Sequence, residues 1–256
     1  MHLSITTFNI VNDWPLPRLI EKCRELGISG MEFRLDRNHG HGVETSLTKD
    51  ERREVRERIE DAYMTVVGIG SSARFDKADK TELRNEIALA KESVDLCADL
   101  GGKFVRVYGN DINKDIGRDA TTAQIGESLA ELIPYGRQRG VETVIEMHGQ
   151  YNNFHLALAA LNASGIRDAG LIYNSDPNDV IRGTISQVYA MVRDKIKLVH
   201  VHDLNSDFPY RELFRLLYDD GYDGYISAEL PASPDPERVL SYFAAMYRLM
   251  IENISK

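Results

Sequence analysis

Cysteine is scarce in this chain: Cys23 and Cys97 are the only two among 256 residues. Both fall in stretches with helical patterning. Two thiols so placed supply neither a disulfide framework nor the spacing of a zinc ribbon, and they predict reduced core residues in a reducing compartment. Long apolar runs are missing too, since none approaches the ~18 consecutive residues that a bilayer span needs. The opening Met-His-Leu-Ser-Ile-Thr-Thr-Phe has no basic cluster before an apolar stretch. A cytoplasmic protein with no membrane partner is expected. Positive charge is short: 31 Lys and Arg against 40 Asp and Glu leave a net −9. That sign argues against a nucleic-acid partner, which needs a basic stripe. It does not forbid an anionic substrate, because a bound divalent cation changes the local field. No Gly-x-Gly-x-x-Gly follows the first strand, which counts against an open dinucleotide-binding sheet.

What the chain does have is alternation. Short runs suited to strands occur at Leu3–Ile10, Ser29–Arg34, Met64–Gly70, Lys103–Tyr108, Val141–Met147, Gly170–Asn174, Lys195–His202 and Tyr225–Leu230. Helical patterns separate them at Leu16–Leu26, Thr48–Tyr63, Lys80–Leu100, Thr121–Arg139, Asn153–Ala163, Asp179–Arg193 and Phe208–Asp220, with a last one at Asp235–Ile254. The connections are short, and the pattern fills residues 1–256 without a linker. This predicts an α/β fold, a single (β/α)8 TIM barrel forming one domain. The longest irregular stretches, Leu35–Leu47, Ser71–Asp79 and Gly109–Ala120, each follow a strand. In a barrel they would lie on the C-terminal face, where active-site loops belong.

The stretch Lys197–Asp203, Lys-Leu-Val-His-Val-His-Asp, holds two histidines at alternate positions. In an extended chain His200 and His202 share one face. Three other strand-like runs also end in a carboxylate, so Glu146, Asp176, His200 and Glu229 would close four consecutive strands and converge at one mouth. Three carboxylates and an imidazole there would repel strongly if empty, and a divalent cation removes the conflict. Three oxygens and a nitrogen suit Mn²⁺ best, with Mg²⁺, Co²⁺ or Zn²⁺ as alternatives and Ca²⁺ less suited. His202 could replace His200 as ligand, and Asn178 and Asp179 compete with Asp176. Asp203 is placed to orient the ligating imidazole.

Four motifs carry a resemblance: Ile-Glu-Met-His at 145–148, Tyr-Asn-Ser-Asp-Pro-Asn at 173–178, Val-His-Val-His-Asp at 199–203 and Gly-Tyr-Asp-Gly-Tyr-Ile-Ser-Ala-Glu at 221–229. Gly-Ile-Ser-Gly-Met-Glu-Phe-Arg at 27–34 and Lys-Phe-Val-Arg-Val-Tyr-Gly at 103–109 add weaker matches. The pattern resembles the xylose-isomerase-like barrels, the sugar phosphate isomerase/epimerase family that shares its fold with the AP-endonucleases. The resemblance implies that Glu146, Asp176, His200 and Glu229 are metal ligands and that Glu146 and Glu229 double as acid and base.

The chemistry expected is metal-dependent isomerisation or epimerisation of a ketose or keto-sugar, phosphorylated or not, by proton transfer through an enediolate. A metal-dependent lyase, dehydratase or hydrolase on a related polyol or keto-sugar is the alternative. DNA repair would need further early histidines and a basic cleft, and a catalytically dead binding barrel would not need all four strand-end residues. Candidate substrate contacts are His148, Arg34, Arg106, His202 and His39. Arg34 and Arg106 could equally pair with barrel carboxylates, and His39 could belong to a mobile lid or a solvated surface. Leu240, Phe243, Met246, Tyr247, Met250 and Ile251 form an apolar stripe on the final helix. The stripe suits packing on the barrel and first helix, or a homo-oligomer contact.

Overall fold

The computed structural model describes residues 1–35, 38–175 and 185–254. Eight parallel strands close on themselves in sequence order, with β8 hydrogen-bonded back to β1. The strands are β1 (His2–Thr6), β2 (Gly30–Arg34), β3 (Thr65–Arg74), β4 (Phe104–Tyr108), β5 (Glu142–Glu146), β6 (Gly170–Asn174), β7 (Ile196–Val201) and β8 (Tyr225–Ala228). The helices between and after them are α1 (Leu16–Leu26), α2 (Lys49–Asp61), α3 (Lys80–Asp99), α4 (Gly117–Arg137), α5 (Phe154–Ala163), α6 (Ile185–Val192), α7 (Tyr210–Asp219) and α8 (Pro236–Ile254). This is a (β/α)8 TIM barrel, as the alternation of patterns predicts.

Local chemistry sets several boundaries. Thr48 and Glu51 form a reciprocal capping box at the start of α2, and Asp79 accepts from Thr81 and Glu82 at the start of α3. Each satisfies amides that a helix start leaves without partners. Gly27 closes α1 at φ 70°, a left-handed conformation that costs glycine little. Two strand ends depart from expectation. β1 stops at Thr6, because residues 9–11 turn into a short 3-10 helix. β3 runs on to Arg74 through the first part of an expected loop, with an irregular register against β4 between Gly70 and Arg74.

The apolar interior falls into two parts. The larger cluster packs the strands' outward faces against the helices. A separate one, Val67, Val144, Ile172 and Leu198 with Phe104 and Tyr225 against it, fills the interior of the barrel. Glu146, Asn174 and His200 lie two residues beyond Val144, Ile172 and Leu198, so strand periodicity places them on the same inward face one layer higher. The apolar plug thus becomes the floor of a polar mouth.

In α8, Leu240, Phe243 and Tyr247 of the expected stripe are buried, whereas Tyr242 and Leu249 are largely exposed. Cys23 and Cys97 are buried free thiols, and burial pushes the Cys23 thiol up to about 12. No helix among the described residues is long and apolar enough to cross a membrane.

Candidate active site

The mouth is organised around the His200 ring, which is buried between carboxylates from opposite walls. Nδ1 lies 3.0 Å from Glu146 Oε1 and 3.4 Å from Glu229 Oε2. Nε2 lies 2.8 Å from Glu32 Oε2. Burial on its own would strip the proton from this ring. The Glu32 charge and the contacts with Glu146 and Glu229 outweigh it and raise the pKa well above the ordinary histidine value.

Glu146 ends β5 and is engaged at both oxygens. Arg106 Nη1 donates to Oε2 at 2.9 Å, and Asn174 Nδ2 donates to Oε1 at 3.1 Å. Burial would raise this carboxyl, but Arg106 and His200 hold it well below the usual carboxylate range. Glu229 follows β8, its amide bonded to the Val201 carbonyl. Its burial also acts upward and is outweighed by His200, so its pKa is lowered. Glu229 Oε2 is buried and accepts no hydrogen bond from any described residue.

Glu146, His200 and Glu229 each aim one ligand atom into a common space, all within 4.8 Å of one another. Two carboxylate oxygens and an imidazole nitrogen, one oxygen without a donor, fit a divalent cation. Glu32 would then keep the outward ring nitrogen of His200 in place, the usual role of a carboxylate behind a ligating histidine.

The other expected site residues are distributed around this cluster. Asp176 lies outside the described residues, as do Asn178 and Asp179. His202 is not in the cluster: its ring nitrogens reach the Glu229 carbonyl at 2.9 Å and Asn174 Oδ1 at 2.8 Å. These contacts brace the β6, β7 and β8 ends. Asp203 does not orient His200; it accepts from the Asn205 amide in its own turn. Glu32 occupies that position from across the barrel, two residues before Arg34 on the same inward face. The signal for it was a glutamate inside an otherwise buried strand.

Arg106 pairs with Glu146 and lies over the Tyr108 ring at 3.9 Å. Arg34 instead donates from Nη1 to the carbonyls of Gly70 and Ser71 at 3.3 and 3.2 Å. His148 Nδ1 sits 3.0 Å from Asn110 Oδ1, its ring against Tyr108. His39 does not lie on solvated surface. It is buried and stacked on His41 with ring centroids 5.3 Å apart.

A curated relative described as an inosose isomerase from Bacillus velezensis is 23% identical over 214 residues, which cover 82% of this chain and 74% of the relative. The fold is also similar to a solved L-ribulose 3-epimerase, with a TM-score of 0.83 and 17% identity over 100% of this chain and 96% of that one. A protein described as IolI with a bound zinc atom matches with a TM-score of 0.77 and 16% identity, over 99% and 98% of the two chains. Residues 20–248 match the family model described as xylose isomerase-like TIM barrel. With that match and the barrel mouth above, the chain belongs to the xylose isomerase-like TIM barrel family.

Proposed function

We propose that the protein is a divalent-metal-dependent isomerase or epimerase of a ketose or keto-sugar, working by proton transfer through an enediolate. The observation that carries this reading is the convergence of Glu146, His200 and Glu229 within 4.8 Å at the mouth. The relatives named as an inosose isomerase and an L-ribulose 3-epimerase support it.

Glu146, His200 and Glu229 would hold the cation, with Asp176 as a fourth ligand. Manganese suits this donor set, and zinc is named with one structural neighbour. When bound, the ion supplies Lewis-acid polarisation of the substrate carbonyl.

The chain's own residues divide the remaining work. The Glu229 carboxylate takes the proton from the carbon beside the carbonyl, through the oxygen not committed to the cation. Glu146, after taking up a proton from water, delivers it either to the opposite face of that carbon or to its neighbour, and Glu229 releases the abstracted proton to water. Arg106 and Asn174 hold the Glu146 carboxylate fixed, and positioned acid–base groups of this kind contribute typically about 10²–10⁴-fold in rate. His148, beside Tyr108, contacts the substrate from the rim.

The test is incubation of the manganese-loaded protein in D₂O with a panel of ketoses, neutral and phosphorylated. Deuterium should appear at the carbon beside the carbonyl. A panel that takes up none, with metal content verified by elemental analysis, would remove the proton-transfer reading.

A further inference from the structure

Arg34 is a buried cation that forms no ion pair with a carboxylate among the described residues. It is 5% exposed, yet among the described residues its hydrogen bonds go only to two backbone carbonyls, both from Nη1. The nearest acid on its strand face, Glu32, is taken by His200. Burying a charge without a counter-charge is costly, and native proteins rarely leave one so.

The group is also held still. The two carbonyls fix one nitrogen, and the guanidinium carbon lies 5.3 Å from the Phe8 ring centroid and 5.7 Å from that of Tyr108. Both distances fall within cation–π range. Arg106 flanks the same Tyr108 ring, but its charge is matched by Glu146. Its Nε is buried without a hydrogen-bond partner. The two guanidinium side chains approach one spot: a Cβ added to Gly70 would stand 2.8 Å from Arg106 Nη2 and 3.0 Å from Arg34 Cδ. The Arg34 guanidinium therefore presents a planar fork at the rim, with Nε and Nη2 uncommitted to any described residue.

We infer that Arg34 is an anion subsite, and that the substrate carries an oxyanion, a carboxylate or a phosphate, on the part of the molecule away from its reacting carbons. A guanidinium fork matches paired oxygens in a way a hydroxyl cannot. A bound oxyanion also gives the Arg34 fork a charged partner, which none of the described residues supplies. The inference rests on the isomerase or epimerase reading for the word substrate, while the subsite itself is testable without turnover.

The binding arm uses calorimetric titration of the purified protein with glycolate, with inorganic phosphate and with neutral ethylene glycol. One of the two anions should bind, identifying the source, and ethylene glycol should not. Arg34→Gln should weaken that binding at least tenfold. Arg34→Lys, which keeps the charge but loses the fork, should weaken it severalfold and serves if the Gln variant does not fold. Absence of binding by either anion, or equal binding by wild type and both variants, overturns the subsite.

The turnover arm compares deuterium uptake from D₂O by D-fructose, D-fructose 6-phosphate and 5-keto-D-gluconate. An anionic compound should exceed D-fructose at least tenfold in kcat/KM, and Arg34→Gln should abolish the advantage. Uptake by D-fructose equal to or above the anions overturns the inference and leaves the isomerase reading intact. Arg34-dependent anion binding with no uptake by any compound would do the reverse.

Discussion

Glu32 and His200 meet across the barrel, Oε2 to Nε2 at 2.8 Å, from strands β2 and β7 that are not neighbours in the sheet. The contact fixes which nitrogen of the ring faces Glu146 and Glu229. Glu32→Gln should therefore weaken manganese binding by about 10–100-fold, the usual cost of losing the group behind a ligating histidine. Competition with a chelating indicator measures this. Unchanged affinity would show that the ring is held by Glu146 and Glu229 alone.

Glu146→Gln keeps the shape of the side chain and removes its ability to carry the proton. The expected outcome is a folded protein that retains most of its metal and loses at least about 10²-fold in turnover. Deuterium uptake and elemental analysis on the same preparation separate the two effects. Retained turnover would place the acid–base work elsewhere.

Arg106 and Glu146 form an ion pair at 2.9 Å with both side chains nearly inaccessible. Removing one partner leaves a buried charge uncompensated, which costs about 3–5 kcal/mol. Arg106→Met should lower stability to urea by that amount, well beyond an exposed pair such as Arg53 with Asp50. A loss under about 1 kcal/mol, the range of surface pairs, would mean that the carboxylate is relieved by another route.

His41 gives the pH prediction. Burial first, and the neighbouring His39 second, push its pKa down to about 3. Its Nδ1 accepts from the Val43 amide at 2.9 Å, which requires that nitrogen to be unprotonated. The unfolded ring titrates near 6.5, so between about pH 6.5 and 3 the unfolded chain binds the extra proton. The contribution of neutral His41 is complete above about 6.5 and falls with pH by up to about 1.4 kcal/mol per unit. Urea unfolding across this window should show a shallower slope for His41→Gln than for wild type. Identical slopes would refute the assignment.

The fold was legible in the sequence because each strand–helix unit carries its own local signals. Gly27 ends α1, Asp79 starts α3, and short β-suited runs mark the strands. The convergence of Glu146, His200 and Glu229 was legible as well, since a closed parallel barrel brings strand ends to one mouth whatever their separation along the chain. Pairing within that mouth was not. Asp203 stands three residues from His200 in sequence, but the turn at 203–206 consumes its carboxylate, and Glu32 reaches the ring from 168 residues away. Likewise the sequence around His39 is rich in glycine and polar residues, and only the stacking against His41 and Phe33 shows that the segment folds inward.

Gly70 sets the working width of the mouth by having no side chain. Replacing it with alanine would drive a methyl group against Arg106 Nη2 and the Arg34 stem, so at this position β3 acts as a blank wall that leaves room for the Arg34 and Arg106 side chains. A redesign that seeks room for a bulkier guest has nothing to trim on that wall, and must widen the opening from Phe8 or Tyr108 instead.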